Sequence, residues 1–233
     1  MIKSTLFSII FFSGIIFLSI LFLPSLFLPV KYVLFGGKLM GFWSKFCLEV
    51  FLVNKIIVKG KENIIKNEKF FIAASHQSMF ETFFLQTIFK SPIFILKKEL
   101  LKIPIFGWYL KKIGSISIQR NKTTKSNIDF FSQISKITNE ENRPLLIFPQ
   151  GTRVLPTERP YFKKGVGRIY EQLKIPCQPV AIHSGSVWPK KGVKDFNKKI
   201  IVSILAPIKP GLNKDEFVKI IEKIIYTELD ISN

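Results

Sequence analysis

Residues 4–30 contain no Asp, Glu, Lys or Arg, and no other feature constrains the fold of this chain so strongly. A stretch this apolar does not stand in water as a surface helix; it is buried in protein or in lipid. As a helix, residues 4–23 would reach about 30 Å, the thickness of a bilayer's hydrocarbon core. Pro24 and Pro29 would then bend or end it. A cleaved secretory signal would carry an apolar region of roughly 7 to 15 residues closed by an Ala-x-Ala-like site. The stretch here is longer and has no such site, so it reads as a retained membrane anchor. Two courses stay open: a single crossing, or a bend at Pro24 and a return through residues 31–54 as a hairpin in one leaflet.

Residues 31–54 have a different pattern. Lys38, Lys45 and Glu49 fall near one helical face, while Phe42, Trp43, Phe46, Leu48, Val50 and Phe51 cover the rest. Such a helix can lie among lipid headgroups with its lysines toward phosphate, or pack as a core helix. Beside an anchor, the interfacial reading is preferred. Residues 1–54 are therefore expected to form the membrane anchor and interfacial helix, and residues 55–233 a separate domain.

The chain has 35 Lys plus Arg against 16 Asp plus Glu, a formal net charge of +19. Most of this excess lies after residue 55, so the positive-inside bias places the C-terminal part in the cytoplasm, on the inner face of the cytoplasmic membrane. The charge suits nucleic acid, anionic lipid or phosphorylated substrates, but the aromatic-basic signature of a nucleic-acid fold is missing. With 47% hydrophobic residues the chain is not disordered. Cys47 and Cys177 form no Cys-x-x-Cys and read as buried reduced thiols. Only two histidines accompany them, so no metal site is expected.

From residue 55 onward, short β-rich runs alternate with helical periods, which predicts an α/β domain with a mixed sheet flanked by helices. Strands are expected at 56–58, 70–74, 93–96, 116–118, 145–148, 179–182 and 200–205. Helices are expected at 79–89, 125–138, 166–173 and 214–229.

Three places could carry chemistry. His76 ends the second predicted strand, and Glu81 falls in the first turn of the helix that follows. Helical side chains lean toward the N-terminus, so Glu81 can reach back to one ring nitrogen and leave the other to remove a proton from a substrate hydroxyl. The plainer alternative is that Ser75 or Ser78 caps the helix and His76 only fills the turn. After the strand at 145–148 come Gln150, Gly151, Thr152 and Arg153, a loop with donors suited to phosphate, or an ordinary turn. Arg120 emerges from the strand at 116–118, and Lys97 and Lys98 follow the one at 93–96; each is an anion clamp or a surface charge.

Taken together and in order, these segments resemble the 1-acyl-glycerol-3-phosphate acyltransferase family. His-Gln-Ser-Met-Phe-Glu at 76–81 is similar to its His-x-x-x-x-Asp block, and Leu-Lys-Lys-Glu-Leu at 96–100 to its Lys-Lys-Glu-Leu segment. Residues 114–120 resemble its Gly-x-x-x-Ile-Asp-Arg block, and Phe-Pro-Gln-Gly-Thr-Arg at 148–153 its Phe-Pro-Glu-Gly-Thr-Arg. Residues 175–182 correspond to its Pro-rich fourth block. Glu81 stands where the family has Asp, Gln150 where it has Glu, and Gln119 where it has Asp.

The resemblance implies a glycerolphosphate acyltransferase-like fold and transfer of a fatty acyl group from acyl-CoA or acyl carrier protein to the sn-2 hydroxyl of lysophosphatidate, giving phosphatidate without a further cofactor. It implies His76 as general base oriented by Glu81. Lys97, Arg120, Gln150, Gly151, Thr152 and Arg153 would line the substrate phosphate. Anionic membrane lipid and acyl carrier protein are the implied partners. Two rivals stand beside it: transfer to another lyso-lipid acceptor, and a non-catalytic basic membrane-anchored binding module.

Overall fold

The computed structural model describes residues 2–118 and 125–231. The apolar stretch forms one continuous helix, α1 (Ile2–Leu21), among the described residues the only one long and apolar enough to cross a membrane. A single 3-10 turn over Leu23–Phe27 holds Pro24 in its first positions, where the missing N–H costs no helical bond. Pro29 then starts α2 (Val30–Phe51).

Beyond α2 the chain builds a seven-stranded sheet in the order β1-β7-β6-β2-β5-β3-β4. Its strands are β1 (Lys55–Lys59), β2 (Phe71–Ala74), β3 (Ile93–Lys97), β4 (Ile116–Ile118), β5 (Leu145–Ile147), β6 (Cys177–His183) and β7 (Lys199–Ile204). All neighbours are parallel except β6 and β7, so the sheet is mixed, as expected. The crossovers carry α3 (Phe80–Ile88), α4 (Phe106–Lys112), α5 (Lys125–Glu140) and α6 (Gly165–Leu173), and α7 (Lys214–Ile231) closes the chain.

Alternation along the strands divides the core into two layers. In β2, Ile72 and Ala74 face one apolar cluster while Phe71 and Ala73 face the other, the two-residue period of a strand buried on both sides. The second cluster is filled by Val166, Ile169 and Tyr170 of α6 and by Phe217, Ile221, Ile225 and Leu229 of α7. Those four α7 positions recur every four residues and make a single apolar stripe. The helix is started by Asn213, whose Oδ1 accepts the Glu216 N–H at 2.9 Å.

The first cluster joins the N-terminal helices to the sheet. Phe7 and Phe11 of α1, and Val33, Cys47 and Leu48 of α2, are buried together with residues of β2, β6 and β7. Phe7 and Phe11 meet the Trp188 ring edge-on at 5.1 and 4.8 Å. Near its start, Ser4 and Ser8 take hydrogen bonds from Lys194, both at 2.9 Å. Near its end, the Ser19 carbonyl accepts the Tyr109 hydroxyl at 2.6 Å. Thus α1 lies along the domain over most of its length, while Ile9, Phe12, Ile16, Phe17 and Ile20 remain exposed on its outer face. In the same way α2 buries Cys47 and Leu48 and exposes Phe35, Phe42, Phe46 and Val50. Of the two roles open to it, core helix and interfacial helix, it has one face suited to each.

Candidate active site

The parallel strands β6, β2, β5, β3 and β4 end at the same edge of the sheet. In such sheets the loops beyond the carboxyl ends form the usual binding crevice. His76 follows β2 there, residues 148–153 follow β5, and Lys97 is the last residue of β3.

His76 and Glu81 meet as their spacing predicts. The Nδ1 of His76 lies 2.9 Å from Oε2 of Glu81. The carboxylate is fully buried, whereas the imidazole side chain retains 15% of its exposure. Glu81 also accepts the Ser78 N–H at 2.9 Å on each oxygen and the Gln77 N–H at 3.3 Å on Oε1. It receives a further bond from the Ser184 hydroxyl. With Nδ1 turned to this carboxylate, Nε2 is the ring nitrogen left for another partner. Ser78 Oγ accepts the Phe80 N–H at 3.1 Å, but the cap position of α3 is Met79, which makes no side-chain cap bond.

The loop after β5 grips His76 from the other side. Gln150 Oε1 accepts the His76 N–H at 2.7 Å, and the Val154 N–H donates to the His76 carbonyl at 2.9 Å. The Phe148 ring stacks on the imidazole with centroids 3.9 Å apart and planes 16° from parallel. Gly151 turns this loop at φ 74°, a conformation that favours glycine, and its N–H returns to the Phe148 carbonyl at 2.9 Å. Gln150 is buried and the bond it makes to His76 uses its amide oxygen, which an uncharged side chain supplies as well as a carboxylate. Burial pushes the nearby Tyr226 hydroxyl up to about 12, while the Gln150 side chain pulls it the other way.

Thr152 is exposed and Arg153 half-buried beyond that turn. Lys190, which the sequence reading did not select, brings its ammonium to 3.3 Å from Thr152 Oγ1 and 3.4 Å from the Arg153 carbonyl. Lys97 stands exposed at the end of β3, with β5 between it and β2. Arg120 and Gln119 lie outside the described residues. His183, the second histidine, is buried within β6.

A buried carboxylate holding a partly exposed imidazole is a general-base arrangement. The loop that fixes the imidazole also carries Thr152 and Arg153, with Lys190 beside them, a donor set matched to a phosphate or other oxyanion.

Comparison with known proteins points the same way. A family model described as Acyltransferase matches residues 55–183. A 1-acyl-sn-glycerol-3-phosphate acyltransferase of Saccharomyces cerevisiae is 35% identical over 174 residues, 72% of this chain and 56% of the yeast protein. One of Pseudomonas aeruginosa is 35% identical over 150 residues, 63% of this chain and 56% of that protein. The match therefore spans somewhat more than half the length of these relatives. The crystal structure of the 1-acyl-sn-glycerophosphate (LPA) acyltransferase PlsC from Thermotoga maritima shares the fold, with a TM-score of 0.79 over 98% of this chain and 97% of that one at 23% identity.

Proposed function

This chain belongs to the Acyltransferase family, and on that premise we propose that it transfers a fatty acyl group from a thioester of coenzyme A or acyl carrier protein to the sn-2 hydroxyl of lysophosphatidate. The observation that carries the reading is the His76–Glu81 dyad, with its carboxylate buried and its imidazole accessible. An alcohol is a weak nucleophile at neutral pH. Nε2 of His76 takes the hydroxyl proton as the oxygen attacks the thioester carbonyl, and Glu81 stabilises the imidazolium that forms. As the tetrahedral intermediate collapses, the C–S bond breaks and the imidazolium returns the proton to the departing thiolate. The products are the new ester and a free thiol, and the base is regenerated with no covalent enzyme intermediate. In this scheme Arg153, Thr152 and the Gly151 turn receive the acceptor's phosphate, with Lys97 and Arg120 assigned to the same anion.

The lipid acceptor and product require the site to lie near the membrane surface. In our reading α1 and α2 dip into one leaflet as a hairpin. The contacts from Ser4 to Ser19 that keep α1 against the domain support this reading. The charge bias assigns the domain to the cytoplasmic face.

The test is conversion of labelled lysophosphatidate by the full chain in lipid vesicles, beside His76→Ala. General-base removal should lower turnover by roughly 10²- to 10⁴-fold without weakening vesicle binding. Undiminished turnover in the variant would rule out the mechanism. Turnover confined to a different lyso-lipid would move the proposal to that acceptor.

A further inference from the structure

The buried end of the dyad is held by a residue to which the reaction scheme gives no part. Ser184 directly follows β6 and is fully buried. Its hydroxyl donates to Glu81 Oε1, the oxygen opposite the one that faces His76. Apart from His76, the other partners of Glu81 are the backbone N–H groups of Ser78 and Gln77, which come with the helix start itself. Among the bonds described for this carboxylate, Ser184 alone arrives from a distant part of the chain, across 103 residues of sequence.

The segment bearing Ser184 is itself pinned. Gln77 Oε1 accepts the N–H groups of Ser184 at 3.2 Å and Gly185 at 3.0 Å. A Cβ at Gly185 would sit 3.0 Å from both Gln77 Cβ and Pro156 Cγ, so the segment packs closely on His76's own loop and a side chain there would make its neighbours give by a few tenths of an ångström. The Ser184 carbonyl takes the N–H groups of Val187 at 3.1 Å and Trp188 at 2.8 Å. Ser75 gives a contrast: it is also buried beside β6, yet its hydroxyl bonds only backbone, accepting the Ile182 N–H at 2.7 Å and donating to the Ile182 carbonyl at 3.3 Å. Ser184 instead spends its one proton on the carboxylate that orients the base.

We propose that Ser184 is a positioning residue of the dyad, fixing the rotation of the Glu81 carboxylate so that Oε2 presents to Nδ1 of His76. The Gln77 strap holds the hydroxyl at the required height. The kinetic consequence rests on the acyl-transfer reading, whereas the effect on the His76 ring does not. Removing the hydroxyl leaves the carboxylate held by the backbone N–H groups of Ser78 and Gln77 alone, which loosens its terminal torsion and weakens the imidazole's hydrogen bond.

The experiment compares native full-length protein with Ser184→Ala, Glu81→Ala and the double variant in lipid vesicles. Turnover should fall about ten-fold in Ser184→Ala, the factor that one hydrogen bond to a charged group makes, with KM for both substrates unchanged. In the Glu81→Ala background the same change should alter turnover by less than about two-fold, because coupled residues do not add. The chain has only two histidines, so ¹⁵N-histidine NMR of the detergent-solubilised protein reads the His76 ring directly. Its Nδ1 signal should move toward that of a free imidazole in Ser184→Ala. Equal losses in both backgrounds, or an unmoved Nδ1 signal, would overturn the proposal. If the native protein turned over no lyso-lipid, the acyl-transfer reading would fail and the NMR comparison would still decide the role of Ser184.

Discussion

Gln150 holds the backbone of His76 through a single amide oxygen. The resemblance expects a carboxylate here, and the geometry shows what that position does for His76: it supplies an acceptor to a part-buried N–H. Gln150→Leu keeps the approximate volume and deletes the acceptor. Leaving one N–H unsatisfied costs about 1–3 kcal/mol, so a lower melting temperature and a fall in turnover of roughly ten-fold or more are expected. Gln150→Glu keeps an acceptor at the same reach and should stay within a few-fold of native activity; parallel melts and turnover assays check both. The two halves of the dyad were legible in sequence because they lie five residues apart across a strand-to-helix junction, where local geometry alone brings them together. Ser184, Gln77 and Lys190 were not. Two are uncharged, and each acts across the sheet edge, so their roles depend on strand order rather than on any local pattern. Lys97 was selected for its charge and sits, exposed, at the edge where the sequence placed it.

Among the elements, the seven strands were readable because each is a short apolar run bounded by polar or turn residues. Their ends were less so. The sixth expected strand began at Pro179, a residue tolerated at the start of a strand but rare within a central one. Instead β6 runs back through Pro179 to Cys177, which exchanges backbone bonds with Ile208 at 2.9 Å in both directions. The helix α4 escaped notice because it is only seven residues long, with Gly107 inside it and Pro104 just before it. The closing helix α7 was recognised by its apolar stripe and carries a consequence for alkaline stability. Its Tyr226 donates to the Pro160 carbonyl at 2.5 Å and packs edge-on against Phe162. A phenol ionises near 10 in the unfolded chain but is pushed up to about 12 by burial here. Folding therefore favours the protonated form. That contribution is fully present below about pH 10 and is lost as pH rises through about 12. The melting temperature should fall across this window, and less steeply in Tyr226→Phe; thermal melts of the two proteins between these pH values check it.

For the molecule as a whole, the proposed membrane attachment would draw on two forces that can be separated. The outer faces of α1 and α2 expose Phe12, Phe17, Phe35, Phe42 and Phe46, and burying such side chains in lipid depends little on ionic strength. The formal charge of +19 acts through the aqueous phase, each Lys or Arg near an anionic surface adding about 1 kcal/mol. That attraction is screened as the Debye length shrinks from about 10 Å at 0.1 M salt to about 3 Å at 1 M. Vesicle flotation at these two salt concentrations should show binding to phosphatidylglycerol vesicles weakening but not vanishing, while the lower binding to neutral phosphatidylcholine vesicles stays unchanged. Full release by salt would mean that the apolar faces of α1 and α2 do not enter lipid and that the charge alone holds the protein. Equal binding to both vesicle types at low salt would mean that the lysines form a solvated face and that the helical hairpin sets the depth of the site by itself.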